Sequence, residues 1–119
     1  MPSVGVMIVD DDPDAREVLA DLVRRAGYTA VTAKDGGEAL AWLAEVRPQL
    51  IVLDVVMPGM DGAEFRQAQR RNPQWIRIPT VVMTGAADEP MLDVGVEDTL
   101  RKPVRARDVL GFVVRHCTK

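Results

Sequence analysis

The stretch Leu50-Ile51-Val52-Leu53-Asp54 decides how this chain is read. Four consecutive aliphatic residues leave no polar face, as expected of a central parallel strand buried on both sides. The run then stops on a carboxylate. On either side of it, short β-branched and aliphatic runs alternate with segments of helical period, the pattern of βαβ units around a covered parallel sheet.

Toward the N-terminus, Val4 to Val9 reads as a first strand. It is followed by a helix whose apolar positions Ala15, Val18, Leu19, Leu22 and Ala26 form one stripe, with Asp12 as N-cap and Pro13 at its first position. Gly27 stops that helix. A second strand is expected near Thr29 to Thr32, then a helix with Asp35 and Glu38 as capping box and Leu40, Leu43 and Ala44 inward, closed by Pro48. Toward the C-terminus, a Pro58-Gly59 turn precedes a third helix that opens with Asp61 and Glu64 at capping-box spacing and runs to about Arg71. Thr80 to Met83 is the fourth strand, residues 86–94 hold at most a short helix, and Thr99 to Arg101 is the fifth strand. A last helix carries Ala106, Val109, Leu110 and Val113.

The chain's 119 residues with 47% hydrophobic content suit one domain, 1–119, around one core. Its 15 Lys and Arg against 18 Asp and Glu argue against a protein built to bind nucleic-acid phosphates. Cys117 is the only cysteine, which excludes a disulfide framework and fits a reducing cytoplasm; its bland role is a small apolar residue. No apolar run approaches the roughly 18–20 residues of a membrane span, and no secretory signal pattern opens the chain.

Ligands of an open parallel sheet bind outside the carboxyl ends of its strands. Those ends share a theme here: Asp10, Asp11 and Asp12 after the first strand, Asp54 after the third, Thr84-Gly85 after the fourth and Lys102-Pro103 after the fifth. Carboxylates gathered without a cation repel one another. A hard divalent ion resolves the conflict, and magnesium, with manganese as a substitute, fits because it takes a few carboxylates and keeps positions for phosphate oxygens. Nucleophile, metal and further positive or hydrogen-bonding groups are what phosphoryl transfer needs.

Val9-Asp10-Asp11-Asp12, Leu53-Asp54, Met57-Pro58-Gly59-Met60-Asp61-Gly62, Met83-Thr84-Gly85 and Lys102-Pro103 together resemble the motifs of the response regulator receiver family, over essentially the whole chain. The resemblance implies a flavodoxin-like, doubly wound five-stranded parallel sheet of order 2-1-3-4-5 with helices on both faces. It implies that Asp54 accepts a phosphoryl group from a sensor histidine kinase or phosphotransfer protein and switches a surface read by a downstream protein. Asp11, the Asp54 carboxylate and the Val56 carbonyl would bind magnesium, with Asp10 acting chiefly through metal-bound water. Thr84 and Lys102 would hold phosphoryl oxygens, and the Lys102-Pro103 peptide would be cis. Such a protein catalyses its own phosphorylation and dephosphorylation without being an enzyme in the ordinary sense.

Other residues read more blandly. Asp12 alone is a helix cap, Met57 to Met60 are turn geometry and packing, His116 lies far from the rim, and Trp42 and Trp75 pack or are partly exposed.

The chain departs from the family pattern where receivers usually carry an aromatic residue three positions before the lysine; here that residue is Thr99. The span from Thr84 to Lys102 is shorter than usual by roughly one helical turn, so the fourth helix is expected to be short or missing. The surface many receivers use for pairing is the altered one, which leaves a homodimer open. Val56 and Ala86 stand where family side chains flank hydrolytic water; neither can orient it, and slow self-dephosphorylation is expected.

Three other readings compete with this one. A phosphatase of the haloacid-dehalogenase type needs a second aspartate where Val56 stands. A flavodoxin-like flavin binder needs an uncharged phosphate loop where Asp10 to Asp12 stand. A phosphorylation-independent receiver-fold interaction module is favoured by Thr99 and the altered fourth-helix region, and opposed by the complete acidic rim.

Overall fold

The computed structural model describes residues 2–54, 62–85 and 96–119. Along the chain run β1 (Ser3–Val9), α1 (Pro13–Arg25), β2 (Ala30–Ala33), α2 (Gly36–Leu43), β3 (Arg47–Asp54), α3 (Gly62–Arg71), β4 (Thr80–Thr84), β5 (Val96–Arg101) and α4 (Ala106–His116). The five strands form one sheet of order β2-β1-β3-β4-β5, and every neighbouring pair is parallel. The expected flavodoxin-like topology is therefore observed. The shortened fourth helix expected over 86–94 lies outside the described residues.

Alternation along the strands divides the core into two layers. Val6, Ile8, Leu50, Val52, Val81 and Met83 face α1 and α4, where Leu19, Ala20, Val23, Val109 and Val113 meet them. Met7, Val9, Ile51, Leu53 and Val82 face the other way, toward Ala39 and Leu43 of α2 and Phe65 of α3. The unbroken run Leu50 to Leu53 is buried because it serves both layers, and full burial of each such side chain contributes about 1.5–3 kcal/mol.

Local signals act largely as expected. Asp12 caps α1 by accepting from the amides of Asp14 (3.0 Å) and Ala15 (3.4 Å). The helix closes in a Schellman motif: Gly27, at φ 98°, donates to the Arg24 carbonyl, and Tyr28 donates to that of Val23. Asp35 caps α2 through the Glu38 amide (2.8 Å), while Glu38 reaches back to the Lys34 amide rather than to the cap residue itself. The Asp61 half of the capping box expected for α3 lies outside the described residues.

Several expectations need correction. Val18 is 67% exposed, because the buried stripe of α1 is centred one position over, on Leu19, Ala20 and Val23. Ala44 caps α2 in the open and Ala106 is exposed, so neither belongs to an inward stripe. Pro48 does not close the second helical stretch; it lies inside β3, paired with Val4. The missing amide is harmless there because pairing of β3 with β4 begins only at Ile51. β5 starts at Val96, three residues before the expected Thr99.

Candidate functional site

β1 and β3 run side by side with Val9 opposite Leu53, so Asp10 and Asp54 leave the sheet at adjacent points of the same rim. Both are buried at 2% exposure, an unusual place for carboxylates, whereas Asp11 is exposed. One carboxylate oxygen from each of Asp10, Asp11 and Asp54 lies within 4.8 Å of the others. On β4, Met83 pairs with Asp54, which sets Thr84 one step further along the neighbouring strand. Lys102, just after β5, donates its amide to the Thr84 carbonyl (2.8 Å) and its Nζ to Asp54 Oδ2 (2.9 Å). The Lys102–Pro103 peptide is cis.

The electrostatics of this rim are unbalanced. Two carboxylate charges this close repel by about 3–4 kcal/mol at an effective dielectric constant of about 20. Burial pushes the Asp10 carboxyl above the ordinary range; the Asp12 amide, which donates to its Oδ1 at 3.0 Å, offsets this in part, and the charge of Asp54 adds to it. Burial alone would lower the Lys102 ammonium, yet the hydrogen bond and charge of Asp54, with Asp10 and Asp11 behind it, hold it above its usual value. Three carboxylates against one ammonium leave a net of two negative charges, which a divalent cation would neutralise. The donor set consists of carboxylate oxygens, the hard ligands that magnesium takes, so these residues fit such an ion.

The hydroxyl of Thr84 is the second irregularity. Its Oγ1 is buried and has no hydrogen-bond partner, although burying an unmet hydroxyl costs about 1–3 kcal/mol. A group held at such a cost on the rim of an acidic site is a candidate for bonding something that arrives there.

Asp10, Asp11, Asp54, Thr84 and Lys102 are thus gathered at one rim. Val56, Met57 to Met60 and Ala86 lie outside the described residues. His116 sits in the last turn of α4, and Trp42 and Trp75 pack at the edge of the second layer, with Trp42 Nε1 donating to the Thr32 carbonyl (2.8 Å). Cys117 is buried with its thiol on the Gly5 carbonyl, as a small core residue. The sequence reading missed Arg16, whose Nη1 donates to the Asp10 carbonyl at 2.9 Å. Its place four residues after the cap Asp12 was the available signal, since side chains on a helix lean toward its N-terminus.

Beside the rim, Asp10, Asp12, Lys102 and Pro103 share a cleft of about 270 Å³ with Ala15, Val18, Leu19, Met83 and Val104. No helix among the described residues is long and apolar enough to cross a membrane.

Residues 6–113 match the family model described as the response regulator receiver domain. An uncharacterised 14.6 kDa protein of Leptolyngbya boryana is 33% identical over 98% of this chain and 92% of its own length. The phosphate regulon transcriptional regulatory protein PhoB of Pseudomonas aeruginosa is 31% identical over 89% of this chain, and the match spans only 48% of PhoB. The solved structure of chemotaxis protein CheY4 of Vibrio cholerae superposes with a TM-score of 0.82 at 32% identity, covering 98% of each chain. By the match of its sequence over nearly its whole length, and by a sheet order and fold shared with these structures, this chain belongs to the response regulator receiver domain family.

Proposed function

We propose that this receiver domain accepts a phosphoryl group on Asp54 from the phosphohistidine of a sensor histidine kinase or phosphotransfer protein, and thereby changes a surface read by a downstream protein. The observation that carries the reading is the buried Asp54 carboxylate, gathered with those of Asp10 and Asp11 and hydrogen-bonded by the Lys102 ammonium. In the step itself a carboxylate oxygen of Asp54 attacks phosphorus, an O–P bond forms, the N–P bond breaks, and the imidazole leaves and takes its proton from solvent. Asp10, Asp11 and Asp54, with the Val56 carbonyl, are the residues that would hold magnesium. The ion would shield the charge of the phosphoryl oxygens as they approach an anionic rim. Lys102 exchanges its bond to Asp54 Oδ2 for a phosphoryl oxygen, and Thr84 Oγ1 gains the partner that it lacks.

The exposed Val18 and the apolar walls of the adjoining cleft give the phosphodonor protein a place to dock beside Asp54. The side chains of Val56 and Ala86 cannot hydrogen-bond to water, which supports slow self-dephosphorylation. Decay of the acyl phosphate checks this point: Ala86→Glu should speed it, and equal decay would remove the idea. The transfer is tested with a phosphate-labelled histidine kinase. Label should pass to the wild type in the presence of magnesium and not to Asp54→Asn; failure of the wild type to take label would favour the phosphorylation-independent interaction module.

A further inference from the structure

Asp10 is held from three directions. Its amide donates to the Ala33 carbonyl (3.1 Å) as the last bond of the β1–β2 ladder, and its Oδ1 accepts from the Asp12 amide. Its carbonyl lies past the end of β1, where no strand among the described residues answers it, and the Arg16 guanidinium does so instead. That bond fixes one end of the Asp10–Asp11 peptide plane. The direction in which Asp11 leaves the chain follows from it.

We propose that Arg16 is a positioning residue for the acidic rim, one that aims Asp11 at the cation shared with Asp10 and Asp54. The inference rests on the magnesium-assisted reading of that site. Arg16 can act in this way because of how α1 begins: Asp12 caps the helix, Pro13 opens it, and the Arg16 amide bonds to the Asp12 carbonyl (3.0 Å). A side chain at this position leans back over the cap and reaches the loop before it. Asp11 itself is exposed, so its aim depends on the backbone beneath it rather than on packing.

Two effects of Arg16 oppose each other. Its positive charge near the rim repels a cation, so a neutral replacement of a bystander would tighten cation binding. Its hydrogen bond preorganises a ligand, so the same replacement would weaken binding. The second effect prevails, because a charge on a partly exposed side chain is screened while the carbonyl left without its donor belongs to a buried residue.

Calorimetric titration of the metal-free protein with magnesium or manganese separates the two. Arg16→Met should bind roughly tenfold more weakly, the scale on which outer partners of a metal site act. Arg16→Lys keeps the charge but has a shorter reach, and should be about threefold weaker. In the acetyl phosphate reaction, the half-saturating magnesium concentration of Arg16→Met should rise while the rate at saturating magnesium recovers; a merely structural role would lower the rate at every concentration. Affinity in Arg16→Met equal to or tighter than wild type overturns the proposal. Should that variant fail to fold, unchanged affinity in Arg16→Lys overturns it. A wild type that takes up no cation would instead remove the reading of the site, and this proposal with it.

Discussion

Lys102 Nζ lies 2.9 Å from Asp54 Oδ2, and the two side chains differ in exposure, 42% for Lys102 against 3% for Asp54. The buried partner is the anion and the accessible one the cation. Lys102 can therefore swing to a new oxygen while Asp54 stays fixed, which is the asymmetry a phosphoacceptor needs.

Removing that cation leaves Asp54 among like charges. Breaking a fully buried pair costs about 3–5 kcal/mol, and the exposure of Lys102 reduces the expected loss for Lys102→Met to about 1–2 kcal/mol. Urea unfolding in chelator measures it. Magnesium should restore part of the loss, and a variant as stable as wild type would mean that the pair contributes nothing.

Thr84→Val should separate folding from function. Because Oγ1 has no partner, its removal should leave the unphosphorylated protein as stable as wild type or up to about 1 kcal/mol more stable. Labelling by a phosphodonor should nevertheless fall. Parallel loss of stability and labelling would show that the hydroxyl has a partner in the resting protein.

Asp10→Asn relieves repulsion yet keeps an oxygen for the Asp12 amide. The metal-free variant should be more stable than the metal-free wild type, because the amide has no charge to bury or to set against Asp54. The stabilisation that magnesium gives the wild type should shrink. Thermal unfolding with and without magnesium reads both, and an undiminished magnesium effect would take Asp10 out of the site.

Val18→Asp tests docking without touching the chemistry. It should slow label transfer from a histidine kinase and leave labelling by acetyl phosphate unchanged. Equal slowing of both would place the defect in the site rather than at the cleft.

Burial pushes the Cys117 thiol up from 9.0 to about 11. The folded state therefore keeps its proton where the unfolded state loses it, and this group's contribution to stability should fall as pH rises from about 9 toward about 11. Alkylation of native protein at pH 8 should be slow and become fast on unfolding; rapid native labelling would mean that the α4 end opens readily.

The run Leu50 to Leu53 and the residues closing each strand were enough to read the sheet, its layers and the rim, because continuous burial and strand ends are sequence-local facts. Cap residues Asp12 and Asp35 were legible for the same reason. What escaped was tertiary. Val18 lost its inward place to Ala20 and Val23 by the rotation of α1, which periodicity alone does not fix to one residue. Arg66 and Gln69 are buried on α3, where Gln69 Nε2 bonds the Trp75 carbonyl (2.9 Å) and Thr80 Oγ1 (3.2 Å), and polar residues in a helix read as solvent-facing. Arg16 escaped because a bond to a backbone carbonyl leaves no mark in composition.

The most direct measurement is the intact mass of the protein after incubation with acetyl phosphate, with magnesium and with chelator, for wild type beside Asp54→Asn. The expected result is a gain of one phosphoryl group in the wild type with magnesium alone. A gain that persists in Asp54→Asn, or that forms equally well in chelator, would contradict both the acceptor and the role of the acidic rim.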